Sequence, residues 1–309
     1  NSGDIQSPGK HLSWGEKHSF ALILFMFDAI HSDAKLVILD DPISSFDSNK
    51  KYAIINRLFK TGEKGNSLYE KTVLMLTHDF EPVIDYIQTN SGRQKSTSVC
   101  ANYFENKNGV LQCTPIRKDD DLMSSVVLLK ELASDATIDI AARIGCLRKF
   151  IEHQYKDPQA ESDAYNILSS LIHGRSEPTI DKEGNDKLSD EQVTTGIKYI
   201  KGFISDFDYA AVLAQCTPQC LMERYATETS AYIRMLILRA YTEQDGEARE
   251  RLRKYNDVLR KYVDETYHIE NDYLYSLDVR RFNIVPDNYI TDAERYVADE
   301  RARFDFATE

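Results

Sequence analysis

The stretch Lys35-Leu36-Val37-Ile38-Leu39-Asp40-Asp41-Pro42 decides the fold. Its apolar run is short, nearly unbroken and closed by turn formers, which predicts a strand buried in a parallel sheet. Working outward, Lys71–Leu76 repeats the pattern and ends at Thr77-His78-Asp79. Between the two, Asp47–Phe59 predicts a helix with Asp47 or Ser48 as N-cap, and Gly62–Ser67 a loop. Upstream, Trp14–His31 reads as an amphipathic to largely buried helix, preceded by a loop over Asn1–Lys10. Downstream, Glu81–Gln88 predicts a helix. Ser98–Ile116 predicts a hairpin turning at Asn106-Lys107-Asn108-Gly109. Helices alternating with strands imply an α/β lobe with parallel strands.

Four motifs on this lobe carry chemistry. Leu12-Ser13-Trp14-Gly15-Glu16 opens a helix, where free backbone N–H groups and a hydroxyl suit a phosphate. Asp40 and Asp41 end the first strand, where one carboxylate can hold a Mg²⁺ shell and its neighbour can orient an attacking water. Ser44-Ser45-Phe46-Asp47 follows. His78 sits at the tip of the next strand, where an imidazole can reach a γ-phosphate. Each motif alone is weak; an Asp-Asp-Pro is often only a turn.

In this order and at these intervals the set resembles the ABC-ATPase superfamily, with its signature loop, Walker B strand, D-loop and switch histidine. The resemblance covers roughly the first third of the chain. It is nearer the SMC-like and DNA-repair ATPases than transporters, and most similar to the anticodon-nuclease family (PrrC- and RloC-like). It implies that Ser13, Gly15 and Glu16 face nucleotide held by a second head, with Ser45 and Asp47 at the dimer interface. It implies Mg²⁺ through water at Asp40, and ATP as the nucleotide. Asp41 stands where most of the superfamily has a catalytic glutamate, so a slow switch is expected rather than fast turnover. No Gly-x-x-x-x-Gly-Lys-Ser/Thr occurs in the sequence. The β-phosphate cradle is therefore expected from a Walker A-bearing N-terminal half, cut away or supplied by another chain.

From about Asp119 strand signals vanish and helical periodicity takes over. Two breaks interrupt it: Gly174–Asp190, and Cys216–Cys220 around Pro218. Domains are expected at 1–117 and 118–309, the second a mostly α-helical effector or interaction domain. In the anticodon nucleases an Arg-x-x-x-Glu pair and a later histidine cut RNA. Here Arg148 and Glu152 share one helix face, and His173 follows. Histidine and glutamate can serve as acid and base for 2′-hydroxyl attack, and arginine can steady the phosphorane. An Arg-Glu pair at this spacing is more often a surface salt bridge, and a histidine before Gly174 more often closes a helix. His153 competes for the role, and Arg175 and Glu177 can add charge.

The tyrosine-rich stretch Tyr255–Tyr275 carries Arg253, Lys254, Arg260 and Lys261. It can stack bases, though an interaction helix with tyrosines on its packing face is the commoner meaning, within a charged region Ala240–Tyr275 that predicts a long solvated helix or two. Arg280-Arg281 reads as a loop. The net charge of -12 disfavours nucleic-acid binding over the whole surface, without excluding a local basic groove. Five scattered cysteines do not make a disulfide framework, and the Cys216/Cys220 pair lacks a second pair for zinc. No apolar run spans a bilayer. A cytoplasmic protein is expected, with a second ATPase head and tRNA or DNA as partners. Three functions stay open: an ATPase controlling its own nuclease domain, a DNA repair or maintenance ATPase, and a regulatory ATPase acting on a separate effector.

Overall fold

The computed structural model describes residues 12–59, 66–90, 99–107, 109–153, 158–180, 186–265 and 275–306. The loops expected at Asn1–Lys10 and 62–65, and parts of the 174–190 break and of the tyrosine-rich stretch, lie outside these residues. The chain is mixed α/β and mostly helical. It separates into two compact units, Asn1–Leu122 and Met123–Glu309. Among the described residues, no helix is long and apolar enough to cross a membrane.

The first unit opens with α1 (Trp14–His31), then β1 (Leu36–Asp40) and α2 (Ser48–Leu58). A short 3-10 turn, Leu68–Glu70, leads into β2 (Thr72–Leu76), α3 (Phe80–Asn90), β3 (Ala101–Lys107) and β4 (Val110–Ile116). Asp47 caps α2, accepting from the Lys50 N–H at 3.0 Å. β1 and β2 pair in parallel, with Ile38 opposite Leu74 and Asp40 opposite Leu76. β3 and β4 form the antiparallel hairpin.

Alternation along β1 divides its side chains between two faces. Val37 and Leu39 are buried in a small core with Met26, Ala29, Leu58 and Leu68. On the other face Leu36, Ile38, Leu74 and Leu76 are exposed. The expectation of a buried strand thus holds for one face only. The expectation of a largely buried α1 is also corrected. Only Met26 and Ala29 are buried in it, while Phe20, Ile23, Leu24 and Phe27 are exposed. A helix with apolar residues most of the way round needs cover on several sides, and this unit supplies one.

The second unit follows a single helical turn, α4 (Lys118–Asp121). β5 (Leu122–Ser124), α5 (Ser125–Ser134), α6 (Ile140–Glu152) and α7 (Pro158–Ile172) come first. Then come α8 (Asp190–Lys201), α9 (Tyr209–Gln215), α10 (Pro218–Thr227) and α11 (Ala231–Gln244). α12 (Gly246–Tyr255), α13 (Asp257–Glu265), β6 (Tyr275–Leu277) and α14 (Asp287–Phe306) complete it. Strands do not vanish here: β5 pairs with β6, each too short to show a period of two. One contiguous core runs through the unit, with α11 buried almost throughout.

α14 is fastened to α11 and α12 by a buried carboxylate. Glu300 accepts from Arg251 Nε and Nη2, at 2.8 and 2.7 Å, and from the Tyr241 hydroxyl. The described part of the tyrosine-rich region forms two surface helices, α12 and α13, which bury Ala248, Leu252, Leu259 and Val263 and leave Tyr255 and Val258 exposed. Tyr262 stacks on Tyr289 at 4.2 Å between ring centroids, and Tyr296 is buried.

Candidate functional site

In the first unit the sheet brings the expected residues to one end. Asp40 closes β1 and is exposed; Asp41 is the next residue, just past the strand. Asp41 has φ of 48°, in the left-handed region where Asp and Asn are among the few tolerated side chains. Its N–H donates to the Leu76 carbonyl at 2.8 Å, so the chain turns off β1 while still bonded to β2. His78 follows β2 directly, and its Nδ1 lies 3.2 Å from Asp41 Oδ2. The Thr77 hydroxyl donates to Asp41 Oδ1 at 3.4 Å and accepts from the Asp79 N–H at 3.0 Å. Asp79 pairs with Lys51 on α2 at 2.9 Å. Asp40, Asp41, His78 and Asp79 border a cleft of about 970 Å³, which Leu76 and Phe104 line further along.

The start of α1 shapes the rest. Ser13 caps the helix and Glu16 closes the capping box, with the Ser13 N–H donating to Glu16 Oε2 at 2.7 Å. This backbone hydrogen bond from Ser13 holds the Glu16 carboxyl below its usual range. Both side chains thus satisfy the helix's own N-terminus. A Cβ placed on Gly15 would find its nearest neighbour, the Ser45 carbonyl, at 3.9 Å, an ordinary contact. Packing among the described residues does not need glycine there. His18, which the sequence did not single out, bonds Ser45 through Nδ1 and lies 5.1 Å from the Phe46 ring. It ties α1 to the loop that carries Ser45 and Asp47.

In the second unit Arg148 and Glu152 pair across one turn of α6 at 3.4 Å. Arg148 also donates to the Tyr165 hydroxyl at 2.9 Å and lies 4.9 Å from the centre of that ring. His173 follows the end of α7. Its Nδ1 is 3.6 Å from Glu243 Oε2 on α11. Burial pushes the imidazole below its ordinary range, opposed by the Glu243 carboxylate and a backbone hydrogen bond to Glu243. The positive charges of Arg175 and Arg148 push it further down.

Gly174 adopts φ of 64°, which suits a helix C-terminus, and a Cβ there would press on Gln244 at 3.3 Å. Arg175 bonds Thr179, and its carbonyl accepts from the Tyr209 hydroxyl at 2.8 Å. Glu177 pairs with Lys187. His153 is the C-cap of α6.

Glu243 was missing from the sequence reading. It lies far along the chain from His173, and its only local signal is the four-residue spacing to Arg239, which it meets at 3.4 Å. Most cations of the tyrosine-rich stretch are already paired. Arg253 and Lys254 meet Glu250, and Arg260 meets Asp257 and Asp264. Arg280 is held by Asp278, Glu131 and Asp135. Cys216 and Cys220 are free, the first buried. Comparison with family models, curated proteins and solved structures finds no match for this chain.

Proposed function

We propose that the chain is the C-terminal part of an ABC-type ATPase switch that governs a tRNA-cutting helical unit. The observation that carries the reading is the meeting of Asp41 and His78 at the ends of adjacent parallel strands. Asp40 stands one residue earlier, at the strand terminus. Oxygen donors at Asp40 and Asp41 suit Mg²⁺, a hard cation, but no glycine loop with its lysine cradles the β-phosphate. ATP binding therefore needs a Walker A-bearing half. The bare apolar face of Leu36, Ile38, Leu74 and Leu76 favours such a partner, since a face of this kind in water lacks its natural cover. Mg²⁺ with ATP supplies the hydrolysable phosphate. Asp40 would hold the metal's water shell, Asp41 would orient the attacking water and His78 would reach the γ-phosphate.

A glycine inside the first turn of α1 costs about 0.5–1 kcal/mol against alanine. Nothing among the described residues demands it, which favours close approach by a second head's nucleotide at Ser13, Gly15 and Glu16. Ser45 and Asp47 then stand at the contact between heads.

In the helical unit His173, held neutral by burial, takes the 2′-hydroxyl proton as that oxygen attacks phosphorus. The P–O5′ bond breaks, and the 5′-oxygen takes a proton that Glu152 relays from solvent. Arg148 steadies the phosphorane. The products are a 2′,3′-cyclic phosphate and a 5′-hydroxyl.

One observation favours the alternative of an ATPase acting on a separate effector, or in DNA maintenance. Arg148 is already engaged by Tyr165 and Glu152, as a purely structural arginine is.

The experiment is tRNA cleavage with ATP by the assembled protein, comparing wild type with His173→Ala and Asp41→Ala. Cleavage lost in His173→Ala with ATP hydrolysis intact supports the nuclease. No cleavage by wild type, with ATP turnover abolished by Asp41→Ala, leaves the ATPase and removes the nuclease.

A further inference from the structure

Glu243 stands where an imidazole can be aimed and its proton placed. It lies on α11, a helix buried almost throughout, so its backbone is fixed by the core. Its two carboxylate oxygens face different groups. Oε1 is 3.4 Å from Arg239 on the preceding turn, and Oε2 is 3.6 Å from His173 Nδ1. Arg239 is itself buried and donates to the Val263 carbonyl at 3.4 Å. The carboxylate is thus anchored from one side, with its other oxygen toward the ring. Its side chain is 14% exposed against 31% for His173, so the imidazole is the wetter member of the pair.

We infer that Glu243 is a positioning residue for His173: its carboxylate, at ion-pair distance from Nδ1, favours the proton on that nitrogen and leaves Nε2 as the nitrogen that exchanges protons with a substrate. The orientation of one ring nitrogen by a fixed carboxylate on the other is a general way to set a histidine's tautomer. The charged groups around the ring come from three places. Glu243 on α11 favours the imidazolium, while Arg148 on α6 and Arg175 in the loop after α7 oppose it. The assignment goes beyond the Arg148–Glu152–His173 set and rests on the nuclease reading only for what Nε2 does. The placement of the proton stands without it.

The test reads the ring directly. In the 309-residue chain with ¹⁵N- and ¹³C-labelled histidine, His173 is identified by the signal lost in His173→Asn. At neutral pH the Nδ1–H tautomer is expected in wild type; an Nε2–H ring overturns the assignment without any substitution at Glu243. In Glu243→Gln the titration midpoint of His173 drops, on the order of half a pH unit or more, because the opposing positive charges lose their counterweight. In Glu243→Asp, which restores a charge, the midpoint returns toward wild type. An unchanged midpoint in a folded Glu243→Gln overturns the assignment. Cleavage of tRNA by the assembled protein is followed alongside. A shifted midpoint with a wild type inert toward RNA upholds the Glu243–His173 coupling and removes the nuclease reading. With active protein, the acidic limb of the cleavage–pH profile moves down in Glu243→Gln by the same interval, a displacement that mere loosening of the fold does not produce.

Discussion

His78 Nδ1 and Asp41 Oδ2 lie 3.2 Å apart, across the C-terminal ends of two parallel strands. The contact depends on Asp41 turning left-handed, with φ of 48°, immediately after β1. A β-branched residue resists that conformation, whereas asparagine accepts it. Asp41→Val is expected to destabilise the first unit by about 1–3 kcal/mol, and Asp41→Asn by much less. Urea unfolding followed by circular dichroism separates the two. Equal midpoints would show that the backbone is not held in this turn.

The pH dependence of the second unit follows from His173. Burial lowers its folded pKa below the unfolded value of about 6.5, so between the two the unfolded chain binds more protons. Stability therefore rises with pH through that window. Above it the group costs nothing; as pH falls it destabilises, levelling off below the folded value. Urea midpoints at pH 7, 6 and 5 should fall less steeply in His173→Gln than in wild type. Parallel curves would count against a half-buried ring held neutral.

Glu300 is 2% exposed and bonded by Arg251 and Tyr241. Arg251 is partly exposed and keeps Asp245 and Glu247, so the loss of the Glu300 charge costs about 1.5–3 kcal/mol, that of a hydrogen bond to a charged group. Glu300→Gln should lower the melting temperature of the second unit markedly. Glu247→Gln, whose exposed carboxylate meets the same Arg251 at 3.7 Å, should leave it within error. Calorimetry on both variants decides it.

Gly196 is where α8 comes nearest to α7. A Cβ there would stand 2.6 Å from Ile167 Cδ1 and 2.9 Å from the Ala164 nitrogen. Ile167 could turn aside, but backbone cannot. Alanine's better helix propensity, about 1 kcal/mol, is outweighed by overpacking of about 1–3 kcal/mol. Gly196→Ala should therefore unfold at lower urea than wild type. A stabilised variant would mean that the helices slide apart freely.

The sequence made local features readable and distant ones opaque. The limits of α1 at Trp14 and His31 follow from its cap and its apolar pattern, and the structure has them there. The parallel pairing of β1 with β2 follows from two short apolar runs that flank a helix. What the pattern could not show is whether a face has cover. Leu36 and Ile38 read as core residues, and their exposure is a fact about neighbours rather than about composition. Arg148 and Glu152 were legible through helix geometry. Glu243 and His18 were not, since each meets its partner through folding and carries no sequence period to betray it.

The clamp of Glu300 on Arg251 and Tyr241 also bears on how the protein is made. During synthesis α11 and α12 leave the ribosome well before α14, with Tyr241 and the Arg251 guanidinium still lacking their carboxylate. The core around α11 therefore stays unsealed until the ribosome has moved past Phe306 and the α14 segment has cleared the exit tunnel. Over that interval the nascent chain offers apolar surface to chaperones. A premature stop within α14 would send a protein with all earlier helices intact to degradation.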